Sequence, residues 1–261
     1  MKALHLKTLV AVALAVTLSS CEKKAEEIYT MSDMAPAKTA AAVYPLIGAD
    51  LSNNILPKRE LPRAVLSRDS WQPKFKVKLI DTVCAEYLDI TKNLDFSGLK
   101  EGKYVTRFGN SDLTIDTEPD FTRTGLIRLS SGAKGWWTHW NYSPYTQSEY
   151  PEVLLAQDRS GRTINAINLA FTRSIKVFGF EIAPNMLGKD VKIIVEYKDF
   201  TSYRSPTLFK VEQTISSPSG ARLIAVKSDV PFAMVMITVA PGQGITDSGL
   251  AITNIRYGGL N

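Results

Sequence analysis

INAINLAFTRSIKVFGFEIAPNMLGKDVKIIVEY, residues 164–197, is the stretch of sequence that decides the fold. Apolar and polar residues alternate along it in short runs, and this period of two is typical of β-strands. A polar turn at 172–174 and the pair Pro184-Asn185 interrupt the runs, because turn residues and proline end strands. The stretch therefore predicts three consecutive strands, and nothing in it identifies a reaction or a ligand.

The segment before this stretch contains further short strands. Alternating runs at 75–79, 104–108 and 112–115 are separated by turn residues, and no stretch has the apolar repeat of a long helix. With 261 residues, 44% of them hydrophobic, the chain is long enough to bury one full core. The sequence thus predicts an all-β fold, an antiparallel β-sandwich that occupies residues 69–261.

The C-terminal part carries motifs that resemble a known kind of domain. The motifs are Gly179-Phe180-Glu181, residues 226–231 (VKSDVP) and residues 251–257 (AITNIRY). In this order they resemble a domain of many bacterial surface and anchored proteins that ends in AI.N(I/V)RYG. The resemblance covers about Leu169–Gly259 and implies a jelly-roll-like sandwich, similar to lectins and carbohydrate-binding modules, with no catalytic motif. Many relatives have Asp where Thr253 stands, so this departure weakens a calcium site there.

The N-terminal residues predict export and a lipid anchor. Residues 1–20 combine a basic start with an apolar run that is too short to span a bilayer, as secretory signals do. The closing tetrapeptide Leu18-Ser19-Ser20-Cys21 resembles the lipobox of bacterial lipoproteins, which implies cleavage before Cys21 and lipidation of its thiol. The alternative is an ordinary signal peptide with an incidental cysteine.

Lipidation would place the protein in the cell envelope as an anchored protein, not a spanning one. Residues 24–27 (KAEE) resemble the surface-export signal of Bacteroidetes lipoproteins, which implies an outer-membrane lipoprotein exposed at the cell surface. The alternative for this run is a solvated charged tether. The predicted organisation is a signal peptide at 1–20, a lipidated tether and entry segment at 21–68, and the sandwich domain at 69–261.

The charge of the chain argues against a nucleic-acid partner. Cleavage of the signal would remove Lys2 and Lys7 and lower the formal net charge from +5 to +3. The remaining basic residues are scattered and not clustered in a patch, as residues 74–78 (KFKVK) illustrate. The expected partners are the membrane, through Cys21, and a glycan or an envelope protein.

One segment, residues 130–147 (SSGAKGWWTHWNYSPYTQ), is dense in aromatic side chains. Such side chains offer wide rigid faces with a polar edge, which suits stacking on sugar rings or on another protein. The candidate residues for binding a glycan or a protein partner are Trp136, Trp137, His139, Trp140, Tyr142 and Tyr145. The alternative is that one face of this segment belongs to the core.

An inventory of reactive groups predicts that the protein is not an enzyme. After processing, His139 is the only histidine and Cys84 the only free thiol, so a classic zinc site of several His and Cys ligands cannot be assembled. A nucleophile triad would need His139 and is not expected. Cys84 is expected to be a small buried residue. Asp112 and Asp116 share one face of an extended segment and are weak calcium candidates, with a solvated turn as the alternative. No other cofactor is expected.

Two classes of function remain open from the sequence. The first is a non-catalytic recognition module of the cell surface that binds a glycan or a protein. The second is a structural or assembly lipoprotein of the envelope with its aromatic residues in the core. A glycoside hydrolase that uses two carboxylates is a remote third.

Overall fold

The computed structural model describes residues 27–29, 75–119, 123–130, 140, 145–148, 151–184, 189–202, 204–215, 220–241 and 249–260. Within them the chain forms thirteen β-strands and one short helix. In chain order these are β1 Glu27–Tyr29, β2 Phe75–Ile80, α1 Ala85–Asp89, β3 Lys92–Asn93, β4 Tyr104–Val105, β5 Arg107–Gly109, β6 Thr114–Asp116, β7 Thr124–Leu129, β8 Val153–Asp158, β9 Ala166–Pro184, β10 Val191–Lys198, β11 Thr207–Ile215, β12 Arg222–Val239 and β13 Leu250–Gly258.

All pairings between these strands are antiparallel, and they join into one hydrogen-bonded network. The main path runs β1-β2-β12-β9-β13-β8-β7-β4, with β10 and β11 attached to β12, β5 and β6 attached to β9, and β3 attached to β13. No described helix is long and apolar enough to cross a membrane.

The long strand β9 bends sharply in its middle. The rings of Phe171 and Phe178 have their centroids only 4.8 Å apart, although seven residues of straight strand span about 23 Å. The bend lies at the exposed residues Thr172 and Arg173, where the sequence predicts a turn between two strands. That prediction is wrong in one respect, because the chain continues through the bend as the single strand Ala166–Pro184.

Strand β12 follows β9 through the same change of direction. Its first part, 222–227, pairs with the second half of β9, and its last part, 232–238, pairs with the first half, with a register shift between them. The two strands therefore belong to both layers of a sandwich. One layer continues from β9 into β13, β8 and β7, and the other continues from β12 into β10 and β11.

An aromatic core fills the space between the layers. Tyr197 of β10 stacks on Phe209 of β11 with centroids 4.5 Å apart, and its ring meets the edge of Phe232 at 5.1 Å. Phe178 and Phe180 of β9 pack in the same core and are fully buried. Because both layers place apolar faces against this core, the predicted all-β antiparallel β-sandwich is confirmed.

Two features differ from the sequence-based expectations. Strand β1 pairs with β2, so part of the sheet lies within the segment 21–68 that the sequence assigns to the tether. Cys84 is 5% exposed, as predicted, but its sulfur forms a disulfide, so the expectation of a free thiol at Cys84 is wrong. The only other cysteine of the chain is Cys21, which lies outside the described residues.

Candidate functional site

The structure describes two of the six aromatic-segment candidates, Trp140 and Tyr145. Trp140 is only 2% exposed and packs among Val153, Ala183, Ala221 and Ala251. The prediction that Trp140 belongs to a binding face is therefore wrong, because its indole ring is part of the core. Tyr145 is partly exposed and lies under the guanidinium of Arg222, 3.8 Å from the ring centroid. Trp136, Trp137, His139 and Tyr142 lie outside the described residues.

A buried carboxylate, Glu181 of β9, explains where the Trp140 indole points. Its Oε2 atom accepts a hydrogen bond from Trp140 Nε1 at 2.9 Å, and its Oε1 atom accepts one from the backbone N–H of Gln147 at 2.7 Å. Glu181 has no exposed surface. Burial raises the pKa of its carboxyl group above the ordinary value, and the hydrogen bonds from Trp140 and Gln147 lower it by a smaller amount.

Strand β13 carries an irregularity next to its pairing with Glu181. The register of β13 against β9 shifts between Thr253 and Arg256, and Asn254 has a φ of 46°, in the left-handed region that asparagine tolerates better than most residues. The hydroxyl of Thr253 donates a hydrogen bond to the backbone oxygen of Glu152 at 2.6 Å, which ties the irregular strand to the neighbouring segment.

A cavity of about 260 Å³ opens to solvent beside this irregularity, and we call it the bulge cavity. Its walls come from β3 and the turn that follows, from the segment before β8, and from β13. It is lined by Asn93, Leu94, Asp95, Phe96, Ser97, Ser148, Pro151, Glu152, Thr253 and Asn254. Amide, hydroxyl and carboxylate groups thus surround the space, with Phe96 offering an aromatic face among them.

The two carboxylates of the bulge cavity are both held in place. Asp95 accepts hydrogen bonds from the backbone N–H of Ser97 at 2.8 Å and from its hydroxyl at 3.0 Å, and these bonds hold the pKa of Asp95 below its usual range. Glu152 accepts from Arg128 Nε at 3.0 Å and also pairs with Arg128 Nη2. No lysine or arginine lines the cavity among the described residues, so its wall is rich in hydrogen-bond acceptors.

The weak calcium candidates lie elsewhere and have protein partners. Asp112 forms an ion pair with Lys92 at 2.8 Å, which lowers the pKa of Asp112. Asp116 accepts a hydrogen bond from the backbone N–H of Glu118 at 2.8 Å. In the part of the chain that the structure describes, no group of three or more His, Cys, Asp or Glu side chains could hold a metal ion.

Four residues of this region, Glu181, Asp95, Glu152 and Asn254, are not among the site residues that the sequence predicts. Glu181 carries a signal that could have been used, because it shares one face of the strand with Gly179 and Ala183, small residues that favour close packing on that face. Asp95 and Glu152 are 57 positions apart in the sequence, and only the pairing of β3 and β8 with β13 brings their segments together.

No protein-family model matches the chain, and the search of curated proteins found no match. Among solved structures, the chain is similar to CBM51-2 in complex with GlcNAc and INT domains from Clostridium perfringens ZmpB, with 9% identity, a TM-score of 0.32, and coverage of 71% of this chain and 37% of that chain. It is similar to the enzymatically active domain of tailspike protein 4 from bacteriophage CBA120, with 13% identity, a TM-score of 0.25, and coverage of 55% and 20%. The chain thus spans well under half of each structure, and likenesses at this level carry no argument about what it binds.

Proposed function

We propose that the protein is a non-catalytic recognition module of the cell surface that binds a glycan in the bulge cavity. The observation that carries the proposal is the lining of this cavity, where Asp95, Glu152 and Asn254 present polar groups next to the ring of Phe96. A site for a small hydroxylated ligand needs a few polar groups in fixed positions beside an aromatic surface. The sandwich supplies a rigid support, since two walls of the cavity are attached to β13.

The charge of the wall favours an uncharged glycan or one that carries an amino group. Asp95 is ionised at neutral pH because its pKa is lowered, and carboxylates accept hydrogen bonds from hydroxyl and ammonium groups. The nearby guanidinium of Arg128 is engaged by Glu152 and by the backbone oxygen of Leu99, at 3.0 Å. An acidic glycan would therefore meet a carboxylate without a free cation to balance it.

The same carboxylates favour binding over hydrolysis. A glycosidase needs a general acid whose pKa is raised toward neutrality, whereas the pKa of Asp95 is lowered. Glu152 is held in an ion pair with Arg128. A purely structural role is the second candidate function. The buried Trp140 favours a structural role for the aromatic segment, but a structural role does not explain the bulge cavity.

Substitution of Asp95 tests the site directly. In the mature chain in detergent, Asp95→Ala is expected to weaken binding of a retained glycan about tenfold or more, because a hydrogen bond to a charged group contributes about 1.5–3 kcal/mol. Asp95→Asn keeps the acceptor for the Ser97 N–H and should lose less affinity. A glycan array followed by titration calorimetry measures both effects.

The matched control for these variants is Asp89→Asn, which removes an exposed carboxylate at the end of α1 outside the bulge cavity. It should leave glycan affinity unchanged. If the wild-type chain retains no glycan on the array, the proposed function is overturned. Equal affinity of Asp95→Ala and the wild type would show that binding takes place at another site.

We also propose that Cys21 anchors the module to the outer membrane. A Cys21→Ser variant is expected to leave the membrane fraction, because acyl chains would be the only membrane attachment that the sequence predicts. Immunoblots of fractionated cells and the intact mass of the wild-type protein measure this, with Cys84→Ala as a control that should stay with the membrane. A thioether-linked lipid and a disulfide cannot share one sulfur. Lipidation of Cys21 therefore requires Cys84 to be reduced in the mature chain, unlike the disulfide-bonded Cys84 of the unprocessed chain described above. A Cys21–Cys84 disulfide found in the mature protein would contradict the anchor.

A further inference from the structure

Glu181 is a charged side chain that the fold buries completely behind the bulge cavity. Ala183, two residues further along β9 and on the same face, is a buried core residue that packs with Trp140, so an apolar residue at position 181 would suit the sheet. Burial of a carboxylate costs free energy that packing alone does not return. The presence of a carboxylate here therefore requires an explanation in terms of its partners.

The partners of Glu181 are attached to two different walls of the bulge cavity. Gln147, whose N–H binds Glu181 Oε1, directly precedes the wall residue Ser148. On the other side, Glu181 pairs in the sheet with Thr253 of β13, which is itself a wall residue next to Asn254. Trp140 Nε1 donates a hydrogen bond to the other carboxylate oxygen, Oε2, and so fixes the orientation of the carboxylate. Glu181 thus connects the segment before β8 with β13.

We infer that Glu181 is a positioning residue that holds the Ser148 wall and the Asn254 wall of the bulge cavity at their binding distance. The inference rests on the proposed function, because it assumes that the cavity binds a glycan. Glu181 does not line the cavity, so it acts through Gln147 and through its pairing with Thr253, and not by contact with the ligand.

An ionised carboxylate fits the donors around it best. Two N–H groups approach two different oxygen atoms, at 2.9 and 2.7 Å, and both oxygens act as acceptors. A glutamine offers one oxygen and one NH₂ group, so one of the two N–H groups would face another donor. A protonated Glu181 fits less well than the carboxylate, because its hydroxyl oxygen is a weaker acceptor.

This geometry predicts opposite effects of pH on affinity and on stability. Among the described titratable groups, Tyr87 of α1 interacts electrostatically with Glu181 and with Arg256 of β13, and burial keeps the Tyr87 hydroxyl neutral by raising its pKa. The pKa of Glu181 is raised in the folded state, so its contribution to stability is largest below the unfolded pKa and falls as pH rises through the folded pKa. Glycan affinity should rise over the same interval, since binding requires the ionised form.

Glu181→Gln in the mature chain tests the inference. We expect it to weaken glycan binding about tenfold at neutral pH, and to remove the rise in affinity with pH that the wild-type protein shows above about pH 4.5. Calorimetry across pH measures the affinity, and thermal melts across pH measure stability. The indole N–H resonance of Trp140 should move in the variant, because its acceptor changes. Glu212→Gln, at an exposed carboxylate of β11, is the matched control and should change none of these.

The outcomes separate this inference from the proposed function. If neither the wild type nor the variants bind any glycan, the proposed function fails. If Glu181→Gln binds with the wild-type affinity and the same pH profile, the positioning role fails while the function stands. Should the variant not fold, the wild-type profile alone decides, because a pH-independent affinity between about pH 4.5 and 8 contradicts the inference.

Discussion

Gly179→Ala is expected to lower the free energy of unfolding by about 3 kcal/mol or more. A methyl group at position 179 would lie 2.3 Å from Tyr87 Oη and 2.4 Å from the Cβ atom of Ala225. Both neighbours are fully buried and cannot move aside without displacing α1 or β12. Since a domain of this kind is stable by about 5–15 kcal/mol, the loss should be evident as a lower midpoint in urea denaturation.

The chain offers a matched control and a rescue for this substitution. Gly98→Ala adds the same methyl group where no heavy atom lies within 4 Å, and it should leave stability nearly unchanged. Tyr87→Phe and Ala225→Gly remove the two atoms that the added methyl group would overlap, and together they should restore part of the lost stability. Equal stability of Gly179→Ala and the wild type would mean that α1 does not pack on β9 as described.

Arg256→Leu should cost about 2–3 kcal/mol of unfolding free energy, the second largest expected effect. The guanidinium donates to the backbone oxygens of Leu88 and Thr91, at 3.2 and 3.0 Å, and to Thr91 Oγ1 at 2.8 Å. Helix α1 has no basic residue in its last turn, so Arg256 supplies the donors that its terminal oxygens need. Chemical denaturation followed by circular dichroism measures the loss.

Arg256→Lys should retain only a small part of the unfolding free energy that Arg256→Leu loses, because a single ammonium group cannot reach three separated acceptors as a guanidinium does. The control is Arg162→Leu, which breaks an ion pair with Asp158 at an arginine side chain that is 76% exposed and should cost less than about 1 kcal/mol. A loss at Arg256 no larger than this control would contradict the role of Arg256 in fastening α1 to β13.

These contacts give physical meaning to motifs that the sequence alone offers only as a resemblance. In Gly179-Phe180-Glu181 the glycine admits Tyr87, the phenylalanine fills the core and the glutamate binds Trp140. In the C-terminal motif, Arg256 fastens the helix, and Gly258 leaves room for the backbone oxygen of Ile90, which would lie 2.3 Å from an added Cβ atom. The motifs therefore describe how α1 and the loops attach to the sheet.

The fold class was predictable because alternation of apolar residues is a local property of the sequence. The bend in β9 was predictable only as an interruption, since a polar pair such as Thr172-Arg173 marks a turn and a strand bend equally well. The partner of Glu27–Tyr29 could not be predicted, because three residues carry no period and their pairing with β2 spans about fifty positions.

The candidate site was less accessible from the sequence than the fold. The density of aromatic residues predicted a binding role for Trp140, but density does not reveal which side of a segment is buried. The indole N–H of Trp140 donates to the buried Glu181, and no local pattern predicts this pairing. The bulge cavity depends on the left-handed backbone at Asn254 and on segments far apart in the chain. Neither feature has a residue pattern that distinguishes it from an ordinary loop.

Because β9 and β12 are continuous, the two layers of the sandwich are joined by strands as well as by loops. In many two-layer folds the layers are joined only by loops, and a cut in a loop leaves each layer whole. Here two strands run unbroken from one layer into the other. A backbone cleavage at either bend would therefore cut one strand and also disturb its pairing with the other. The domain is consequently a poor candidate for splitting into fragments, and an insertion would be tolerated far better in the hairpin between β10 and β11 than at Thr172.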